Sequence, residues 1–116
     1  MPAPMRALFD LQITEQADGE LKARVPVTDS LKQPLGLVHG GVFASIADAL
    51  AVGATERAAR ALSTQASFLR PVTGGAIQAT ARRRHKGRTT AVWDVDIADD
   101  TGRLCAVVRV TVAVEG

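Results

Sequence analysis

The 116-residue sequence predicts an α+β fold in which one antiparallel sheet wraps a single helix. Most of the chain alternates apolar and polar residues with the period of a half-buried strand. Only one stretch has helical spacing, and turn residues separate the segments at short intervals. Residues 11–17 and 20–27 read as strands joined at Ala17-Asp18-Gly19, and Leu21, Ala23 and Val25 alternate with Glu20, Lys22 and Arg24. Thr28 to Leu37 reads as a loop punctuated by Pro34 and Gly36. Gly40-Gly41 then open a helix expected to run to about Ala59. Its apolar side is Val42, Ile46, Ala49, Leu50 and Gly53, and Glu56, Arg57 and Arg60 mark its solvated end. Four further strands are expected at 62–70, 76–85, 88–98 and 103–114, divided by Pro71, Gly74-Gly75, Gly87 and the turn Asp99 to Gly102. Trp93, Val95 and Ile97 alternate with Asp94 and Asp96, and Leu104, Ala106, Val108, Val110, Val112 and Val114 share one face. A sheet with one covered and one wet face needs a cover, and only the helix can supply it. The expected order is β-β-α-β-β-β-β within a single domain, residues 1–116.

Composition narrows the function classes. Apolar residues make up 47% and charged residues 22%, as in ordinary globular chains. The aromatics are only Phe9, Phe43, Phe68 and Trp93, so Val, Leu and Ala must build the core, and a short chain with such a core gains from burying more surface between subunits. Cys105 is the single cysteine and excludes an intrachain disulfide, while two distant histidines give no metal-ligand spacing. The first residues show no basic segment followed by an apolar run, and no run approaches the ~18–20 apolar residues of a membrane span. The expectation is a soluble cytoplasmic protein with no membrane partner. Net charge is +2, but Arg82, Arg83, Arg84, Lys86 and Arg88 crowd one strand end. No aromatic residues interleave them as stacking platforms, which argues against nucleic acid. Pairing with Asp94 and Asp96 on the next strand is the simpler reading.

Residues 33–50 carry the chemistry. Asp48 is the only charged residue between Val42 and Thr55 and has no basic partner three or four positions away. Such a carboxylate is poorly placed for solubility and well placed for reaction. The Gly40 amide, at a helix start, has no intrahelical acceptor and lies at the positive end of the dipole. It can therefore stabilise a developing oxyanion.

Three segments carry a resemblance along essentially the whole chain: Pro34-Leu35-Gly36-Leu37-Val38-His39-Gly40-Gly41 with Asp48, then Phe68-Leu69-Arg70-Pro71-Val72, then His85-Lys86-Gly87-Arg88-Thr89. Together they resemble the hotdog-fold acyl-CoA thioesterases of the phenylacetic-acid-pathway type. The resemblance implies hydrolysis of an aryl or medium-chain acyl-CoA without metal or redox cofactor. It gives Asp48 the part of base or nucleophile and the Gly40 amide that of oxyanion donor, with Gly41 beside the substrate. Gln33 would help hold the thioester carbonyl or the carboxylate, and His39 would organise the loop. Some relatives use a Ser or Thr after the helix to position water. Here the matching position is Ala61, with Ser63 two residues on and expected on the same side. Lys86, Arg88 and Arg70 are the implied rim for coenzyme A phosphates. Small residues Ala44, Ala47 and Ala51 would leave room for the acyl group.

One distance restricts the assembly. Eight helical residues put Gly40 and Asp48 about 12 Å apart, too far for one carbonyl to touch both. A reaction centre then needs Gly40 of one chain and Asp48 of another, so a homodimer, alone or within a dimer-of-dimers tetramer, is expected. The alternative is a non-catalytic acyl-CoA-binding module. A hydratase is disfavoured because residues 34–39 lack the Asp-x-x-x-x-His pattern.

Overall fold

The computed structural model describes residues 9–33, 36–55 and 58–115. Pro34, Leu35, Glu56, Arg57, Gly116 and the N-terminal segment 1–8 lie outside the described residues. Six strands form one antiparallel sheet: β1 (Gln12–Ala17), β2 (Glu20–Pro26), β3 (Ala59–Phe68), β4 (Ala76–Lys86), β5 (Thr90–Ala98) and β6 (Leu104–Val114). Their spatial order is β1-β2-β4-β5-β6-β3. The single long helix, α1 (Gly40–Ala54), lies on one face and packs mainly against β3 and β6. The element order matches the sequence expectation, but α1 stops at Ala54 and Ala59 already belongs to β3. The chain therefore turns from helix to sheet sooner than its helical spacing indicated.

The core is aliphatic, as the scarcity of aromatics required. Ile46, Leu50, Ile77, Val95, Ile97, Val108, Val110 and Val112 are fully buried between α1 and the sheet. Trp93 is also core, 2% exposed, and Cys105 is a buried free thiol. The apolar side of α1 is rotated from the expected one. Phe43, Ala47 and Ala51 are buried with Ile46, Ala49 and Leu50, whereas Val42 is half-buried and Gly53 exposed. Small side chains at Ala47 and Ala51 let α1 sit close to the strands. Ala47 and Ala51 belong to the core, while Ala44 is half-buried.

The far face of the sheet carries the charges. Asp94 takes a two-pronged hydrogen bond from Arg109, at 2.7 and 2.9 Å, with Arg84 3.5 Å away. The Arg109 hydrogen bond holds the Asp94 carboxyl below its ordinary range. Arg82 bridges Glu20 and Asp96, and Arg83 reaches Asp18 at 3.1 Å while lying over the Trp93 ring. Arg82 and Arg84 thus pair with Asp96 and Asp94 as the sequence implied, whereas Arg83 shares the helix-side face of the buried Trp93 and takes Asp18 of the β1–β2 turn instead.

The β5–β6 turn is organised by Asp99. One carboxylate oxygen accepts the Thr101 N–H, the Thr101 hydroxyl and the Arg103 N–H, and the other accepts Arg103 Nε. These donors, the Thr101 hydroxyl foremost, pull its pKa down to about 2 from 3.8. A depressed folded-state value means that the contribution is complete above the unfolded pKa and lost as pH falls through the folded one. Melting curves should therefore show Asp99→Asn less stable than wild type at pH 6, with the difference shrinking between about pH 4 and 2.

Candidate active site

Two adjacent features build the start of α1. A bridge between Lys32 and Val38 closes the preceding loop, and the His39 N–H bonds the Leu31 carbonyl at 3.1 Å. His39 is the N-cap in extended conformation, but its imidazole makes no cap hydrogen bond; its carbonyl accepts the Val42 N–H at 3.0 Å. A Ser or Asp at that cap would have occupied the first amides of the helix. Here the Gly40 and Gly41 N–H groups find no acceptor among the described residues, and no acidic side chain lies in the first turn. The helix start is open to an external acceptor. His39 thus organises the loop through its backbone. Gln33 shapes the same loop: its N–H bonds the Leu37 carbonyl at 2.6 Å, its carbonyl accepts the Gly36 N–H at 2.8 Å, and its side chain is exposed.

Asp48 lies two turns on, half-buried on the side of α1 that faces β3. Its Oδ1 accepts a hydrogen bond of 2.6 Å from the Thr64 hydroxyl. This corrects the expectation for Ser63. Strict alternation places Ser63 on the face of Ala61, but the β3–β6 register slips between those two residues. Ala61 pairs with the buried Val112, Ser63 with Thr111 and Thr64 with the buried Val110. Residues paired across strands share a face, so the extra residue sends Ser63 to the outer face and brings Thr64 to the helix. Sequence reasoning missed Thr64 because nothing in residues 59–64 announces a bulge.

β3 runs antiparallel to α1, and its inward row Thr64, Ala66, Phe68 follows the helix backwards. Four strand residues cover about 13 Å, matching the ~12 Å between Asp48 and Gly40. Phe68 accordingly reaches the helix start, where its ring carbons lie 3.0–3.2 Å from the place a Gly40 side chain would begin. Gly40 is needed there for space.

The implied rim residues occupy opposite ends of α1. Arg70 follows β3 beside the helix start, with its N–H on the Cys105 carbonyl. Lys86 lies beyond the helix end, lining a cavity of about 140 Å³ with Arg83, Thr55, Gly87 and Trp93. Arg88 is exposed in the β4–β5 turn. A larger cavity of about 490 Å³ lies on the β1 side of α1, lined by Phe9, Leu11, Ile13, Leu50 and Gly53, away from Asp48. No helix among the described residues is long and apolar enough to cross a membrane.

Residues 35–106 match the model of the Thioesterase superfamily, and the chain belongs to that family of thioester hydrolases with the hotdog fold. It is 36% identical over 118 residues to the proofreading thioesterase EntH of Klebsiella pneumoniae, covering 97% of this chain and 86% of the relative. It is 30% identical over 116 residues to the 1,4-dihydroxy-2-naphthoyl-CoA hydrolase of Escherichia coli, covering 95% and 85%. The crystal structure of a glutamine-to-alanine mutant of thioesterase SAV0944 from Staphylococcus aureus superposes with a TM-score of 0.91 at 30% identity, covering 97% and 99%.

A charge-assisted hydrogen bond contributes about 1.5–3 kcal/mol. Thr64→Val should therefore lower kcat for thioester hydrolysis roughly 10- to 100-fold, while Ser63→Ala leaves it unchanged. Thiol release from a thioester panel measures both.

Proposed function

We propose that the protein is an acyl-CoA thioesterase whose reaction centre is shared between two antiparallel α1 helices. The observation that carries this reading is the placement of the Asp48–Thr64 pair and the open Gly40 amide at two points of one rigid helix, about 12 Å apart. A twofold axis near Ala44 and Ala66 superposes one chain's Gly40 on its partner's Asp48 and produces two equivalent centres. β3 is the means. It is an edge strand, ten residues long, nearly all exposed, with Leu62 at 50% and Phe68 at 57%. Such an edge presents unpaired backbone groups to a second copy. Pairing β3 with β3 about Ala66 extends the sheet and sets the helices side by side, an arrangement compatible with a dimer or with two dimers in a tetramer.

In this site the thioester carbonyl accepts the Gly40 N–H, where the helix dipole favours the negative charge that develops. Asp48, held by Thr64, either takes a proton from the attacking water or attacks the carbonyl itself to form an anhydride that water then opens. The products in both cases are the free acid and the coenzyme A thiol, with water the only co-reactant. Gln33 flanks the carbonyl. The antiparallel arrangement also brings Arg70 of one chain and Lys86 of the other to the same mouth, with Arg88 nearby, so that cations from both chains meet the phosphates. The relatives support a CoA thioester: the Escherichia coli protein is named for hydrolysing one. In the mutant Staphylococcus aureus crystals the replaced glutamine and glutamate lie fifteen positions apart, the separation of Gln33 and Asp48.

Thiol release tests the chemistry. Asp48→Asn should lose about a thousandfold or more of kcat with the fold intact, and a rate within tenfold of wild type would defeat the assignment. The pairing of copies has its own test. Ala66→Cys should give a cross-linked dimer on mild oxidation, since opposed residues of paired strands lie about 4.5–5.5 Å apart. Ser63→Cys should not, its two copies being six strand residues, about 20 Å, out of register.

A further inference from the structure

We propose that Phe68 is a specificity-determining residue of this site: it forms the apolar wall beside the carbonyl held by Gly40 of its own chain and acts on the substrate attacked by the partner's Asp48. The inference rests on the shared-site reading above.

Three observations place the ring. Its Cζ, Cε1 and Cε2 lie 3.0, 3.2 and 3.2 Å from an ideal Gly40 Cβ, so the ring edge fills the space that every other residue type would occupy. Its other side rests on Phe43, with centroids 6.2 Å apart and planes tilted by 42°. Phe43 is 3% exposed, part of the core, and anchors the ring. In the single chain Phe68 is 57% exposed, although its strand partner Ala106 is fully buried; the proposed β3–β3 pairing about Ala66 sets it opposite Thr64 of the partner subunit, so the ring stands at the join of the two chains. An anchored aromatic at that join, next to amides without an acceptor, fits a ligand with a carbonyl oxygen on one side and an apolar substituent on the other. An aryl or branched acyl thioester has that form; a two- or three-carbon acyl group has too little surface to use the ring.

Aromatic contacts add about 0.5–1.5 kcal/mol beyond their buried area, and a few apolar atoms in a pocket discriminate by tenfold or more. Phe68→Ala should lower the ratio of kcat/KM for phenylacetyl-CoA over propionyl-CoA about tenfold. Phe68→Leu, which keeps the apolar volume and loses the ring, should shift it in the same direction by less and serves if the alanine variant does not fold. An unchanged ratio in whichever variants fold would overturn the proposal. A mixed dimer, purified through a different affinity tag on each chain, decides which chain's ring matters. Combine one Asp48→Asn chain with one Phe68→Ala chain. If Phe68 acts beside its own Gly40, the only competent centre has an intact ring and shows wild-type selectivity. Selectivity like that of the Phe68→Ala homodimer would overturn the assignment across chains. Thiol release that survives in the Asp48→Asn homodimer marks failure of the shared-site reading itself, distinct from either outcome for Phe68.

Discussion

The lie of α1 along β3 governs the rest of this molecule. Because strand and helix run antiparallel, four residues of one match eight of the other, and two contacts are made at once: the Thr64 hydroxyl with Asp48, and the Phe68 ring with Gly40. The buried alanines Ala47 and Ala51 permit this close approach. The same rigidity keeps the Asp48 carboxylate about 12 Å from the Gly40 amide of its own chain. The fold thus holds both groups firmly, yet too far apart for one carbonyl, which is the constraint the proposed pairing of two copies answers.

The site also shows why the helix start is built without a conventional cap. An N-cap hydroxyl or carboxylate is worth about 1 kcal/mol to a helix. His39 supplies only backbone, and Gly40 and Gly41, poor helix formers, follow it. That stability is forgone, and the first amides of the helix are left without an acceptor among the described residues. The aliphatic core and the ion-paired outer face carry the stability elsewhere. Arg82, Arg83 and Arg84 are engaged by Glu20, Asp18, Asp94 and Asp96. These pairings commit the three arginines to holding the sheet together.

The hairpin turns, the strand boundaries other than those of β3, and the core faces of β2, β5 and β6 apart from the exposed Leu104 were legible because period-two alternation is a local property. Asp48 and Gly40 stood out for a similar reason: a lone charge in an apolar helix and a glycine pair at its start are visible without knowing what they touch. The end of the helix was not legible. Residues 55–59 contain no Gly or Pro to break it, and Glu56, Arg57, Ala58 and Ala59 are residue types that a helix accepts readily. Ala59 instead pairs with Val114 at the end of β6, so the reach of the sheet sets where α1 stops.

The sequence by itself thus determined the class of fold, the helix that bears the site and the two groups on it that cannot meet within one chain, since spacing along a helix is fixed by its rise. The tertiary structure alone decided which hydroxyl holds the carboxylate and which aromatic fills the space at Gly40. One extra residue in β3 inverts the facing of everything beyond it, and the contact between residues 40 and 68 depends on how strand and helix pack. Both are long-range outcomes of packing, to which local periodicity is blind.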